Sequence, residues 1–275
     1  MKIEASPMRA IAAGLSDVGL QREHNEDSFV VLSEHDLFVV ADGMGGHRAG
    51  DVASKLATET ISEFFRSTAN EDVTWPFHFD TNLSEEENRL LTGIRVANRQ
   101  IFERSSRSRE CHGMGTTVVG AMFSPRKRRM YIGHVGDSRC YRLRSQGLEQ
   151  ITKDHSLLQE QIDAGLITPE QAVNSTIKNL VTRALGVDES VLLDVNEHTV
   201  QEGDIYLLCS DGLSDMVDDP AIAKIVSADM ALEHKAIHLV DLANENGGRD
   251  NISVLLVEVH EAAEKRGLLA RWLSK

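Results

Sequence analysis

No two cysteines in this 275-residue chain form a CxxC pair: Cys111, Cys140 and Cys209 are odd in number and scattered. They read as reduced thiols in a cytosolic protein, each a small core residue rather than a reactive one. None of the three opens a thiolate phosphate loop, which needs arginine six residues on; those positions hold Thr117, Gln146 and Asp215. The GxxxxGK[ST] phosphate loop of nucleotide hydrolases is also missing. Positive charge is short, with 29 Lys and Arg against 43 Asp and Glu, a formal net charge of −14. Such a chain is not built to hold a nucleic-acid backbone. It can still handle a phosphorylated substrate, because bound cations invert the local sign where they sit. No apolar run approaches the ~20 residues of a membrane helix. Ala10 to Ala13 is too short for a signal core and lies behind Glu4 and Arg9. The expectation is a cytoplasmic protein with no membrane partner.

What is present is a series of short apolar runs ending in small or acidic residues. Leu37 to Val40 leads into Ala41-Asp42-Gly43, Tyr131 to Val135 into Gly136-Asp137, and Ile205 to Cys209 into Ser210-Asp211-Gly212. Asp250-Asn251 opens the run Ile252 to Val259, and Ser28 to Leu32, Thr116 to Phe123 and Cys140 to Leu143 complete the set. These read as β-strands of a buried sheet system. Helical spacing runs from Ala49 to Phe65, from Leu90 to Ile101 behind a Ser84/Glu87 capping box, and from about Ala231 to Asn246 before Gly247-Gly248. Strands cluster with few helices between them, so two packed sheets flanked by helices fit better than a parallel βαβ sheet.

The acids carry the functional signal. Asp42, Asp211 and Asp250 stand at the ends of apolar strands, beside Gly or Asn. A carboxylate there is costly unless it is paired or bound to a cation. Asp-Gly alone is a common turn, but three such acids from distant segments point to a shared oxygen-ligand site for Mg²⁺ or Mn²⁺. Arg22 to Asp27 adds an arginine able to fork onto a phosphate and acids able to orient a water, although a plain loop in which Arg22 pairs with Glu26 or Asp27 is the simpler reading of that segment.

Six segments in order then resemble one family. They are Arg22-x-x-Asn25-Glu26-Asp27, Ala41-Asp42-Gly43-Met44-Gly45-Gly46, Gly113-Met114-Gly115-Thr116-Thr117, Val135-Gly136-Asp137-Ser138-Arg139, Ser210-Asp211-Gly212 and Asp250-Asn251. Together they look like the motifs of the PPM, or protein phosphatase 2C-like, family. Lys153-Asp154-His155-Ser156 and Thr182 to Gly186 are similar to its bacterial branch. The resemblance implies an α+β, four-layer α-β-β-α sandwich with two central, mainly antiparallel sheets. The chain is read as one phosphatase domain over 1–260; the short helical fragments around Gly165 and Pro169 suggest a small flap at about 156–180, and the locally basic residues 261–275 a short tail. The resemblance also implies a metal-dependent serine/threonine phosphatase that hydrolyses phosphoserine and phosphothreonine by direct attack of a metal-activated water.

Carried over position by position, Asp42 bridges two Mg or Mn ions, the Gly43 carbonyl helps to bind one, and Asp211 and Asp250 bind the other. Glu26 acts through a water, Asp137 serves a weaker third ion together with Asp211, and Arg22 binds the phosphate. The implied partners are phosphorylated proteins, the substrates of a serine/threonine kinase, acted on by a monomer. One position departs: eukaryotic members carry a histidine, a candidate general acid, where this chain has Met44. A thioether cannot donate a proton, and His47, three residues on, has no warrant to replace it; a metal-bound water is the expected donor. The rivals are a catalytically silent binding module of the same fold, whose mark would be a missing metal acid, and a metal-dependent phosphodiesterase. His134 reads as a satisfied core or edge residue, Arg126 to Arg129 as a solvated hairpin turn, and Glu85 to Glu87 as acids suited to the positive end of a helix.

Overall fold

The computed structural model describes residues 8–45, 49–69, 76–77, 79–145, 147–172 and 180–262. His47, most of the 70–84 segment before residue 79, the last part of the flap (173–179) and the tail from 263 onward lie outside the described residues.

Eleven strands are described: β1 (Met8–Asp17), β2 (Asp27–Leu32), β3 (Leu37–Met44), β4 (Gly115–Thr116), β5 (Val118–Ser124), β6 (Arg129–Val135), β7 (Arg139–Arg144), β8 (Gly147–Gln150), β9 (Asp194–Thr199), β10 (Ile205–Cys209) and β11 (Ile252–Glu261). The helices are α1 (Ala49–Ser67), α2 (Glu85–Arg107), α3 (Leu157–Asp163), α4 (Pro169–Ala172), α5 (Asp211–Ser214), α6 (Asp219–Val226) and α7 (Leu232–Glu245). One sheet runs β1-β11-β10-β7-β8. The other runs β2-β3-β5-β6-β9, with β4 paired to β3. Every pairing is antiparallel.

Three apolar layers separate four structural layers. Leu37, Val39 and Ala41 of β3 pack with Ile61 and Phe65 of α1 and Leu90 and Ile94 of α2. Phe38 and Val40, on the other face of the same strand, meet Tyr206, Leu208, Leu255 and Val257 of the opposite sheet. Beyond that sheet, Leu207 and Leu256 pack against Leu239 and Ala243 of α7 and Ile222 of α6. This is the α-β-β-α sandwich. It also explains why β3, β10 and β11 read as unbroken apolar runs: both faces are buried, and each fully buried aliphatic side chain contributes about 1.5–3 kcal/mol. Acids are tolerated only where such strands end.

The helical patterns hold closely. Ser84 and Glu87 form the reciprocal capping box at the start of α2, and α1 and α7 lie within two residues of the spans the spacing predicts. Arg126 to Arg129 is the β5–β6 turn and the first residue of β6, tied down by Lys127–Glu86, Arg128–Glu261 and Arg129–Glu197 ion pairs. All three cysteines are buried and unpaired by disulfides. Three edge strands had no sequence signal: β1, of mostly small or half-exposed residues, β8, and β9, which has two half-buried positions among exposed polar residues. Among the described residues, no helix is long and apolar enough to cross a membrane.

Candidate functional site

The antiparallel register carries the ends of the apolar strands to one end of the sandwich. Asp42 lies directly across from Asp27 in the β2–β3 ladder, and Cys209, the last residue of β10, pairs with Val254 of β11 and Arg139 of β7. Asp211 follows β10, Asp250 precedes β11, and Asp137 sits in the β6–β7 connection. The strand-end acids singled out in the sequence therefore converge, although the chain separates them by more than 200 residues.

Their charges act on one another. Burial drives the Asp42 carboxyl well above the usual carboxylate range, and Asp27, Asp211, Asp137 and Asp250 push it further in the same direction. Burial likewise raises Asp211, with Asp137 and Asp250 adding to it. Asp137 is pushed up to about 6 by burial and by Asp154. The cluster is thus held together against its own repulsion. Two buried carboxylate oxygens, Asp27 Oδ1 and Asp211 Oδ1, have no hydrogen-bond partner among the described residues. Unpaired anionic oxygens in a dry site are the chemistry that hard divalent cations satisfy.

Around the acids the backbone is fixed by other groups. The Asp42 carbonyl accepts from Thr117 N–H and Thr116 Oγ1, each at 2.8 Å, and its N–H donates to Thr117 Oγ1 at 3.2 Å. Gly43 is buried where β3 meets the first turn of α1; a Cβ there would collide with the Gly50 carbonyl oxygen and with that of Glu26. Glu26 packs against Gly50, which has no side chain to keep it off, and burial raises its carboxyl. Met44 lies beside Gly115, its partner across the β3–β4 ladder.

Arg22 stands 53% exposed at the rim, its Nη2 donating to Asp250 Oδ2 at 2.6 Å. Its partner is therefore Asp250, not the neighbouring Glu26 or Asp27 that a plain loop reading offered. Two residues of the site went unassigned in the sequence analysis. Asp27, 6% exposed, is raised to about 6 chiefly by burial and takes a 2.8 Å hydrogen bond from Ser210 Oγ. Asn251 is the tether: its Oδ1 accepts from Glu26 N–H at 2.7 Å, and its Nδ2 donates to the Val18 and His24 carbonyls at 2.9 Å each. It staples the loop that carries Arg22 and Glu26 to the start of β11. Both stood inside the motif segments, Asp27 closing Arg22-x-x-Asn25-Glu26-Asp27 and Asn251 following Asp250, and that placement was the available signal.

His134 is buried, with Nε2 2.8 Å from the Lys153 carbonyl, a satisfied core histidine.

Two antiparallel sheets between helical layers, with a self-repelling carboxylate cluster at one end, define a phosphatase of the PPM class. Residues 21–245 match the family model described as Protein phosphatase 2C. The chain is 40% identical over 251 residues to a serine/threonine phosphatase stp of Listeria welshimeri, covering 88% of this chain and 93% of that protein. The crystal structure of the Mycobacterium tuberculosis serine/threonine phosphatase PstP/Ppp superposes with a TM-score of 0.80 at 35% identity, covering 91% of this chain and 99% of that one. The catalytic domain of PstP in complex with two manganese ions superposes with a TM-score of 0.77 at 35% identity, covering 92% and 99%. The chain belongs to the protein phosphatase 2C family, in its bacterial branch.

Proposed function

We propose that this protein is a metal-dependent phosphatase that removes phosphate from phosphoserine and phosphothreonine in proteins, in the cytoplasm and as a monomer. One observation carries the reading: Asp27, Asp42, Asp137 and Asp211 are buried together and repel one another, and among the described residues two of them have a buried, unpartnered oxygen, in a chain similar to named serine/threonine phosphatases. A silent binding module of this fold would dispense with such a cluster, and every acid of the motif set is retained.

Asp42, Asp211, Asp250 and the Gly43 carbonyl would hold two Mn or Mg ions, Glu26 would contribute through a water, and Asp137 with Asp211 would serve a weaker third. When bound, such a pair activates a water and offsets the charge on the phosphoryl oxygens. The protein's own part is to orient. Asp27 and Asn251 hold the acid-bearing segments in register, and Thr116 and Thr117 fix the Asp42 backbone. Arg22 forks onto the phosphate from the rim. Met44 can hold no proton, so the leaving serine or threonine oxygen takes its proton from water. The flap, through α3 and α4, bears on the protein part of the substrate, which a serine/threonine kinase would supply in phosphorylated form.

The decisive experiment pairs a phosphothreonine peptide with a phosphodiester control. Hydrolysis of the peptide alone, requiring added Mn²⁺ and ended by chelator, is the expected result. Turnover that survives rigorous metal removal sinks the assignment, and preference for the diester replaces it with a phosphodiesterase.

Arg22 gives a finer test. Its phosphoryl contacts act on bound substrate and transition state alike, so Arg22→Ala should raise KM roughly 30-fold, about 2 kcal/mol, with a smaller fall in kcat. Arg22→Lys should recover part of that, since a point charge restores attraction without the fork. Because Arg22 also pairs with Asp250, KM must be read at saturating Mn²⁺. An unchanged value there would leave Arg22 only a structural role.

A further inference from the structure

Behind the Asp137 turn lies a cluster that the reading above does not use. His155, 5% exposed, precedes α3, and its ring stacks on His134 with centroids 4.5 Å apart and planes 18° apart. It grips one residue from both sides. The His155 N–H donates to the Gly136 carbonyl at 2.9 Å, and His155 Nδ1 accepts from the Gly136 N–H at 3.2 Å. Gly136 adopts φ +104, and a Cβ there would sit 2.6 Å from the Thr117 side chain, so no other residue fits this turn. Asp137 is the next residue.

His134, His155 and Asp194 present ligand atoms within 4.8 Å of one another, close enough to suggest a second cation site. The tautomers rule it out. His134 Nε2 faces the Lys153 carbonyl, so it carries the proton. His155 Nδ1 accepts an N–H, so the proton of that neutral ring is on Nε2. Nε2 then donates to Asp194 Oδ2 at 3.4 Å. Arg183 Nη1 lies 3.5 Å from Asp194 Oδ1 and 3.2 Å from His155 Nε2, so a guanidinium already stands where a cation would go. Burial keeps both rings neutral, lowering His134 and taking His155 down to about 4. Asp194 is the shared acceptor of His155 and Arg183. The far end of the network is anchored by Thr182 N–H, which donates to the His155 carbonyl at 2.8 Å.

We propose that His155 is a positioning residue for Asp137: it clamps both polar backbone groups of Gly136 and ties that turn, through Asp194, Arg183 and Thr182, to the segment that follows the flap. The proposal rests on the reading of Asp137 as a ligand of the weaker ion.

Three variants separate the roles of the ring. His155→Phe keeps an aromatic face for His134 but has no acceptor. His155→Asn places Oδ1 where Nδ1 was and keeps the acceptor. His155→Gln reaches the Nε2 position instead and serves as a second acceptor-loss variant should the phenylalanine protein not fold. Amide hydrogen exchange at Gly136, followed by NMR in metal-free protein, reads the clamp without any activity. Mn²⁺ calorimetry reads the weak site.

For His155→Phe, and likewise for His155→Gln, Gly136 protection and weak-site affinity should each fall about tenfold, the scale of lost outer-shell support. His155→Asn should restore most of both. Combined with Asp137→Ala, His155→Phe should slow phosphopeptide turnover no further. Wild-type Gly136 exchange in the acceptor-loss variants, or an asparagine that fares no better than phenylalanine, overturns the clamp. If the exchange results hold while Asp137→Ala leaves weak-site binding intact, the clamp stands and the ligand role of Asp137 is what fails.

Discussion

Asp42→Asn should reduce kcat by on the order of 10³-fold or more, equivalent to about 4 kcal/mol of transition-state stabilisation, while leaving the fold intact. The backbone of residue 42 is held by Thr116 and Thr117 through its own N–H and carbonyl, and none of those bonds uses the carboxylate. Asparagine matches aspartate in shape, so packing is preserved. What is lost is one negative charge at the position that Asp27, Asp137, Asp211 and Asp250 all act upon. Two consequences of opposite sign follow. The metal-free variant should melt higher than wild type, because a repulsive charge has left the cluster. The Mn²⁺-treated variant should turn over phosphopeptide barely above background, because a neutral amide would hold divalent cations less tightly than a carboxylate. A folded variant with near-normal kcat at saturating Mn²⁺ would remove Asp42 from the centre of the site.

The metal-free wild-type protein should lose stability as pH rises, the reverse of ordinary acid denaturation. In the unfolded chain aspartates release their protons near the reference pKa of about 3.9, whereas burial holds Asp27 and Asp137 at about 6 and Asp42 and Asp211 well above the usual range. Above pH 4 the folded state therefore binds more protons than the unfolded state, and stability falls with a slope of about 1.4 kcal/mol per pH unit for each proton of difference. His155 works the other way. Its folded pKa of about 4 lies below the unfolded value, so its contribution is complete above about pH 6.5 and is lost as pH falls toward 4. The two trends overlap between pH 4 and 6.5, so the clean window is pH 6.5 to 8, where the histidine contribution is flat and Asp27 and Asp137, at about 6, finish releasing their protons. Melting curves in chelator should drop across that window, and saturating Mn²⁺ should flatten the drop and raise the melting temperature most at pH 8. A chelator curve that is level from pH 6.5 to 8, or equal to the Mn²⁺ curve, would mean that the acids do not form one strained cluster.

Which elements announce themselves in the sequence follows from burial. The strands with both faces covered, β3, β10 and β11, have nowhere to place a polar residue except at their ends, so their apolar runs and terminal acids stand out from composition alone. Edge strands β1 and β9 contribute few fully buried side chains, so their residues carry little pattern. The same division runs through the site. Asp42, Asp211 and Asp250 are conspicuous because an acid at the end of a buried strand needs a reason, whereas Asp27 sits in a charged loop motif and becomes notable only when the register sets it opposite Asp42.

Taken by itself, the chain determined the order of motifs, the two-sheet class, the acids and the family, since each rests on local spacing and on what a strand end can tolerate. Folding alone decided which groups meet. Asn251 reaches back 225 residues to Glu26, Arg22 takes Asp250 rather than its own neighbours, and His155 grips Gly136 with both ring and backbone. The raised carboxyls belong to the same category. A pKa shift depends on desolvation and on distances between charges, and neither exists until strands far apart in the chain are brought to one end of the sandwich.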